Sequence, residues 1–595
     1  MTSPKPPRDN PLLQLSRATQ ANPMALLGEV IILAFLLVFL VLPVGLAISQ
    51  GFFEKGHLTL YWFRAKLSDP VMIRQMVNSV ALATCSTLLA MVIAIPPALI
   101  RARCHFRGLG VLAMLLLVPM ILPPFVGAIS MRHLLSQFGA INLALEHIGL
   151  LDFSRSLPPD WLGSGFAGVV IMQALHLFPI LYLNASAALA NIDPAYSQAA
   201  RNLGAGPWRT FVAITLPLMR PGLFAGGTIV FIWALTDVGT PLILGFQEVI
   251  PATIFKELAK SDTSPGIYSL VFIMLGASVS LYILGKFFFG RAISAETAKA
   301  SSAADVRKLG WTGTALAWLL FGTIIFLAML PHVGVILTAF SGRWVNTVLP
   351  TRWTLEHLRF VLERPATFQS ILNSLHYASL STIIDIVLGC LAAWLIVRTR
   401  VWGHTLLDGL AMLPLAVPGL ILAAGYVAMT ASDFSFHLGS WQVTIPLSEI
   451  GPRNHAVVIL VIAYSVRRLP FVLRGVSAGL QQVPTSLEEV ARNLGAGRVR
   501  TVFGITVPLV AANIVAAAVL TFAFAVLEVS DSLILAQREA AYPITKEIYS
   551  QATSGNPDAA NIASALGVYG MVLLGGTMAL ASALLGKRLG AIFRA

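Results

Sequence analysis

Ala200-Arg-Asn-Leu-Gly-Ala-Gly206 recurs letter for letter as Ala491-Arg-Asn-Leu-Gly-Ala-Gly497, an offset of 291 residues. The register holds downstream through Thr210/Thr501, Ile214/Ile505, Thr215/Thr506 and Pro217/Pro508. Upstream, Asn78-Ser79 matches Asn373-Ser374, and Pro119 and Pro123 match Pro414 and Pro418, at an offset of 295. Two apolar helices can look alike by composition alone. Here the best match lies in a polar stretch, so the chain is an internal duplication.

Around that stretch the chain is strongly apolar. Of 595 residues, 56% are hydrophobic and 11% charged, against roughly 25% charged in a soluble domain. A soluble enzyme, a disordered chain and a nucleic-acid module are excluded. A membrane-spanning helix needs about 20 apolar residues to cross ~30 Å of hydrocarbon. Twelve stretches qualify: 27–49, 75–99, 109–131, 166–189, 222–247, 267–289, 313–339, 372–397, 406–430, 455–478, 511–535 and 563–586. The first is too long for a signal-peptide core and no cleavage site follows it, so it counts as a span.

Each half holds six spans, an even number, so both enter the bilayer from the same side as parallel repeats. The expected fold is an all-α integral membrane protein of twelve transmembrane helices in two parallel six-helix repeats. Its expected boundaries are a tail at 1–26, a first repeat at 27–289, a linker at 290–312 and a second repeat at 313–595. The repeated motif sits in loops 190–221 and 479–510, between the fourth and fifth spans of each half.

Charge sets the orientation. The side holding both termini, the two motif loops and the linker carries 22 Lys/Arg and 6 Asp/Glu; the other side carries 15 of each. The positive-inside rule puts the termini and motif loops in the cytoplasm. The net charge of +13 is therefore a signal of topology, and no nucleic-acid partner is expected. Three cysteines, Cys85, Cys104 and Cys390, imply no disulfide framework and read as buried small residues.

The motif loops have a local logic. Residues ahead of Gly204 and Gly495 favour a short helix, and each glycine suits a helix end or a turn with positive φ. Pro217 and Pro508 are expected to stop the next piece just before the membrane is re-entered. Small residues (Ala199, Ala200, Ala491) let one face lie in a groove, while Arg201, Arg209, Arg492, Arg498 and Arg500 keep the element soluble.

The first copy reads Gln198-Ala199-Ala200, three residues, Gly204, nine residues, Ile214-Thr215-Leu216-Pro217. The second reads Glu489-Val490-Ala491, three residues, Gly495, nine residues, Ile505-Thr506-Val507-Pro508. This spacing resembles the EAA loop (Glu-Ala-Ala, three residues, Gly, nine residues, Ile-x-Leu-Pro) of permease subunits in bacterial type I ABC importers. Two copies in one chain resemble the fused permeases of the iron(III), thiamine and phosphonate branch.

The resemblance implies that 198–204 and 489–495 are coupling helices docking on two copies of a separate ATPase subunit. It also implies a periplasmic binding protein on the outer loops, with 256–262 and 538–547 as contacts, and a place in the bacterial inner membrane. The two copies depart from the family pattern at Gln198 and at Val490. An amide cannot form the ion pair open to Glu489, which implies unequal ATPase contacts. Leu235–Leu244 and Tyr464–Phe471 are similar to iron(III)-type permeases, so ferric iron is the implied cargo. A phosphonate, a sugar phosphate or thiamine is the alternative.

No phosphate-binding loop occurs: Gly285-Lys286 is followed by Phe287 inside a span. ATP hydrolysis therefore falls to a partner subunit. No metalloprotease or Cys-x-x-Cys motif occurs, so no catalytic residue or bound cofactor is expected, and a metal site is left unassigned. A charge at mid-bilayer costs about 2.5–3.5 kcal/mol on insertion scales, which makes intramembrane ions functional candidates.

In the fifth spans Asp237 aligns with Glu528 and Thr240 with Asp531. In the fourth spans His176-Leu177 aligns with Arg467-Arg468, beside Pro179 and Pro470, which can break their helices. These residues read either as a polar translocation path where the halves meet or as a salt-bridge lock, for instance Arg467 or Arg468 with Glu528. Asp385 and Asn373 are secondary candidates. From another class, a twelve-span ion-coupled secondary transporter shares the span count but has no need of the duplicated loop.

Overall fold

The fold is taken from a computed structural model that describes residues 23–54, 56–163, 165–260, 264–289, 307–342, 344–399, 403–438 and 441–585. Most of the expected tail and linker, and the chain from 586 onward, lie outside the described residues.

Nine described helices are long and apolar enough to cross a membrane: Ala25–Phe52, Pro70–Arg103, Phe166–Ala190, Pro207–Thr236, Trp311–Phe340, Pro365–Arg398, Ala456–Gln482, Val499–Val526 and Ala559–Ala579. The expected spans 109–131 and 406–430 are each two helices. Leu109–Ile121 meets Pro124–His147 at a 93° bend, and His404–Leu415 meets Gly419–Met429 at 103°. The expected span at 267–289 falls in the helix Pro265–Phe289, in which Pro265–Leu281 forms a shorter apolar stretch. Among the described residues the count is thus nine, or eleven with each bent pair as one span, which does not confirm the expected twelve.

Proline causes the bends. Pro123 and Pro418 cap the second helix of each pair with extended backbone, at ψ 138° and 140°, because a proline ring blocks continuation of the helix before it. The aligned prolines thus put a corner inside each of these two expected spans.

Pro217 and Pro508, expected to stop the piece before the membrane, do not do so. Pro207–Thr236 and Val499–Val526 run through them. A five-residue π turn precedes each, Phe211–Thr215 and Val502–Thr506, and a third, Leu37–Val41, precedes Pro43 in Ala25–Phe52. In each turn the residue just before the proline donates its amide five residues back, Leu42 to Leu37, Leu216 to Phe211 and Val507 to Val502. The extra residue per turn moves the carbonyl the ring would strike. Pro179 and Pro470 likewise sit inside unbroken helices.

Further departures are small. Among the described residues the fold is helical apart from three two-stranded pairs, of which the antiparallel hairpin Phe434–Leu438 with Trp441–Ile445 is the longest. The three cysteines are free, and Cys85 is exposed rather than buried.

The chain packs as two compact units, each drawing on both halves of the sequence. The first comprises the described parts of Met1–Ala47, Ile371–Pro543 and Leu573–Ala595; the second comprises those of Ile48–Ser370 and Ile544–Val572. In the first, the N-terminal span is held against Gly419–Met429. A Cβ on Gly425 would stand 2.6 Å from Pro43 O, so only glycine lets the backbones approach. Pro43 cannot donate to Phe39 O four residues back, and the buried Tyr426 hydroxyl donates to it instead, at 2.6 Å. In the second unit, Trp311–Phe340 packs on Pro124–Leu135, with Ser130 Oγ donating to Pro331 O at 3.1 Å.

Tyr426→Phe keeps the ring but strands the Phe39 carbonyl. It should lower stability by about 1–3 kcal/mol, read as a reduced thermal midpoint of the full chain in detergent. An unchanged midpoint would show that the carbonyl has another partner.

Candidate functional site

The duplicated stretch is a helix stop and restart. In the first copy Asp193 caps Pro194–Asn202 by accepting from Ala195 N at 2.8 Å. The helix ends at Gly204, φ +78°, with Gly204 N bonded to Arg201 O and Ala205 N to Ala200 O, both 2.9 Å. That is the Schellman pattern, which needs a left-handed residue at its centre. The second copy repeats it after Thr485–Asn493, with Gly495 at φ +87° and Ala496 N on Ala491 O at 3.0 Å. The seven-residue identity therefore encodes one backbone shape.

Ala200 and Ala491 are 6% exposed and face inward. Gln198, Ala199 and Gly204, and Glu489, Val490 and Gly495, are exposed. Beside them stand apolar side chains in the open: Leu203 at 88%, Trp208 at 74%, Leu494 at 83% and Phe503 at 70%. Large apolar groups left this bare on a polar loop mark an interaction surface.

The acid that matters inside the second copy is Glu488, which sequence reading passed over for its neighbour. Arg398 Nε meets Glu488 Oε1 at 3.1 Å, and Thr506 Oγ1 donates to the same oxygen at 3.1 Å. Glu488 sits on the buried face of its helix and Glu489 on the exposed one. A usable signal was the pairing of Arg103 with Arg398 and of Thr215 with Thr506 across the two halves.

The first unit contains a buried charge network. Arg467 pairs with Glu528 and, at 3.2 Å, with Asp531; Arg468 pairs with Glu528 and donates to Phe524 O at 3.2 Å. Asp385 joins the same region, accepting from Ser465 at 2.6 Å. Tyr464 and Ser532 share a 2.6 Å hydrogen bond, and Ser532 Oγ donates to Glu528 O at 2.6 Å. Glu528 lies just past the end of Val507–Val526 and Asp531 in the short helix Ser530–Leu535, so the helix breaks at 527–529, inside the expected span 511–535. Asn373 is a clamp, donating to Ala540 O and Tyr542 O at 2.9 and 3.0 Å.

The second unit answers with neutral partners. Asp237 leaves the helix end in extended conformation and accepts from Gln173 at 3.0 Å and from Thr240 N at 3.3 Å, so its carboxylate caps the short helix Gly239–Ile243. His176 Nδ1 lies 3.1 Å from Pro119 O. The structure thus brings Arg467, Arg468, Glu528 and Asp531 together. It places Asp237 and His176 in separate hydrogen-bonding sets of the second unit.

Outside the spans, on the helix Ile544–Ala552, burial lowers the Lys546 ammonium to about 8. It lies 5.5 Å above the Phe255 ring and 5.9 Å above Tyr549.

A sequence profile of the family described as "Binding-protein-dependent transport system inner membrane component" matches residues 2–294 and 385–594. The chain is 26% identical over 527 residues to the putative ferric transport system permease protein FbpB 1 of Haemophilus influenzae, covering 87% of this chain and 79% of that one. It is 26% identical over 515 residues to the ferric transport system permease protein FbpB of Actinobacillus pleuropneumoniae, covering 85% and 70%. Over 191 residues it is 32% identical to the molybdenum transport system permease protein ModB of Escherichia coli K12, covering 30% and 78%.

Removing one partner of a buried ion pair costs about 3–5 kcal/mol, whereas Asp237→Asn keeps an oxygen that can accept from Gln173 or Thr240 N and unpairs no opposite charge. Glu528→Gln should therefore destabilise the full chain far more than Asp237→Asn. Chemical denaturation in detergent reads both, and equal losses would contradict the assigned asymmetry.

Proposed function

Because the chain belongs to the family of binding-protein-dependent transport system inner membrane components, we propose that it is the permease through which ferric iron enters a bacterial cytoplasm. The chain is a multi-pass inner-membrane permease subunit of an ABC importer, a family that works with an ATPase and a substrate-binding partner. The finer reading divides the chain into the repeats 27–289 and 313–595, with both termini cytoplasmic.

Two ATPase copies dock on the motif helices, one through Gln198, Ala199, Ala200 and Gly204, the other through Glu489, Val490, Ala491 and Gly495. The observation that carries this is the pair of helix–glycine–helix elements of one shape, each with bare apolar side chains beside it. Nucleotide can shift a transporter between states only by contacting them differently. A rigid helix held by ATPases that close and open supplies such a difference. His176, Asp237, Arg467, Arg468, Glu528 and Asp531 supply polar groups to the path, those of the first unit also locking its helices.

Ferric iron is favoured because the relatives named for ferric transport match across 85–87% of the chain, both halves included. A molybdenum oxyanion is the second reading, on the higher identity to ModB over a shorter stretch. Elemental analysis of the binding protein that co-purifies with this permease separates them: iron supports the first reading and molybdenum replaces it.

Gly495→Asp puts a charge and a strained residue at the docking surface. Membrane insertion should persist, while ATP-driven uptake into cells falls at least tenfold. Uptake at the wild-type rate by this variant would overturn the docking assignment. A reporter fused to the C-terminus should be active only in the cytoplasm.

A further inference from the structure

The two motif helices are alike in backbone but not in what holds them. Arg398 is the last residue of Pro365–Arg398. Its Nη2 donates to Leu480 O at 2.9 Å and Val483 O at 2.7 Å, at the C-terminal end of Ala456–Gln482, while Nε meets Glu488 Oε1 on the motif helix. Thr506, the last residue of the π turn leading into Val507–Val526, donates to that same carboxylate oxygen. One guanidinium and one carboxylate thus tie four helices together. Both side chains are only 8% exposed, so solvent screens the pair weakly.

The first copy has the same frame without the acid. Arg103 ends Pro70–Arg103 at the position matching Arg398, and Thr215 matches Thr506. The residue matching Glu488 is Ser197, and Arg103 donates directly to the Thr215 hydroxyl. An ion pair in one copy is replaced by a guanidinium–hydroxyl bond in the other. The hydroxyl offers the arginine no opposite charge, so the first copy lacks the Coulombic attraction that adds to the hydrogen bonds of the second. Glu488 is bound inward, leaving Glu489 as the outward acid.

Resting on the permease reading above, we propose that Arg398 and Glu488 are positioning residues forming a strut. The strut makes 485–493 the stiff coupling helix and carries its displacement into Pro365–Arg398 and Ala456–Gln482. The helix 194–202 is held more loosely and follows. Both strut side chains are buried among the permease's own helices, so neither is presented to a docked ATPase. Loss of the strut therefore uncouples hydrolysis from transport instead of preventing either from being set up.

The test uses the full importer, the permease with its ATPase, in proteoliposomes supplied with binding protein loaded with radioactive Fe(III). The readout is iron moved per ATP hydrolysed. Glu488→Gln, which keeps the shape and the Thr506 contact, and Arg398→Gln should lower that ratio at least fivefold, with ATPase activity within twofold of wild type. Arg398→Lys should recover at least half of the ratio, and Arg103→Gln should change it less than twofold.

On the full chain alone, Glu488→Gln should speed amide exchange in 485–493 and leave 194–202 unchanged. Ser197→Glu should slow exchange in 194–202. This readout needs neither ATPase nor iron, so it also decides the case if the altered importer does not assemble. An unaltered ratio in both strut variants, equal effects of Arg103→Gln and Arg398→Gln, or unchanged exchange in 485–493 would each overturn the strut. Failure of the permease reading looks different: the wild-type importer would then move no iron or other bound solute on ATP.

Discussion

Hydrocarbon offers no hydrogen bond, so every amide and carbonyl of a spanning helix must be met from within the protein. That constraint explains how this chain handles its prolines. Each one removes a donor and crowds the carbonyl four residues earlier. At Pro43, Pro217 and Pro508 the chain inserts a π turn and the helix continues. At Pro123 and Pro418 it turns a corner of about 90–100° instead. Where a π turn leaves Phe39 O without its usual donor, Tyr426 meets it, and Gly425 provides the space. Two of the three π turns carry the helix that restarts after the motif glycine into its span without a break.

The same economy governs charge. Arg467, Arg468, Glu528 and Asp531 are affordable in the interior only because they meet one another, since an isolated buried ion is far costlier than a paired one. The duplicated position in the other half has exchanged arginine for His176 and keeps Asp237 among neutral donors. The duplication has preserved backbone shape and let the electrostatics diverge. The motif loops repeat this pattern: one Schellman turn twice, but an ion pair at Arg398 and only a hydroxyl contact at Arg103.

Much of the site was legible in the sequence because it is local. A left-handed glycine after a short helix is a property of a few adjacent residues, and Gly204 and Gly495 adopt it as expected. Pairing of Arg467 and Arg468 with Glu528 was readable as one of two options, because charges in apolar spans must find each other. Choosing Glu488 over Glu489 was not readable. Neighbours on a helix point about 100° apart, and which one faces inward depends on what lies beside the helix.

Hydropathy, repetition and turn chemistry act over short stretches, so the order of residues alone identifies a duplicated, membrane-embedded helical protein with two matching polar turns. Which prolines bend the chain and which pass through a helix, and which carboxylates are paired, was settled by packing. It also decided that each compact unit draws helices from both halves. Those outcomes depend on partners tens to hundreds of residues away, whose positions no local pattern encodes.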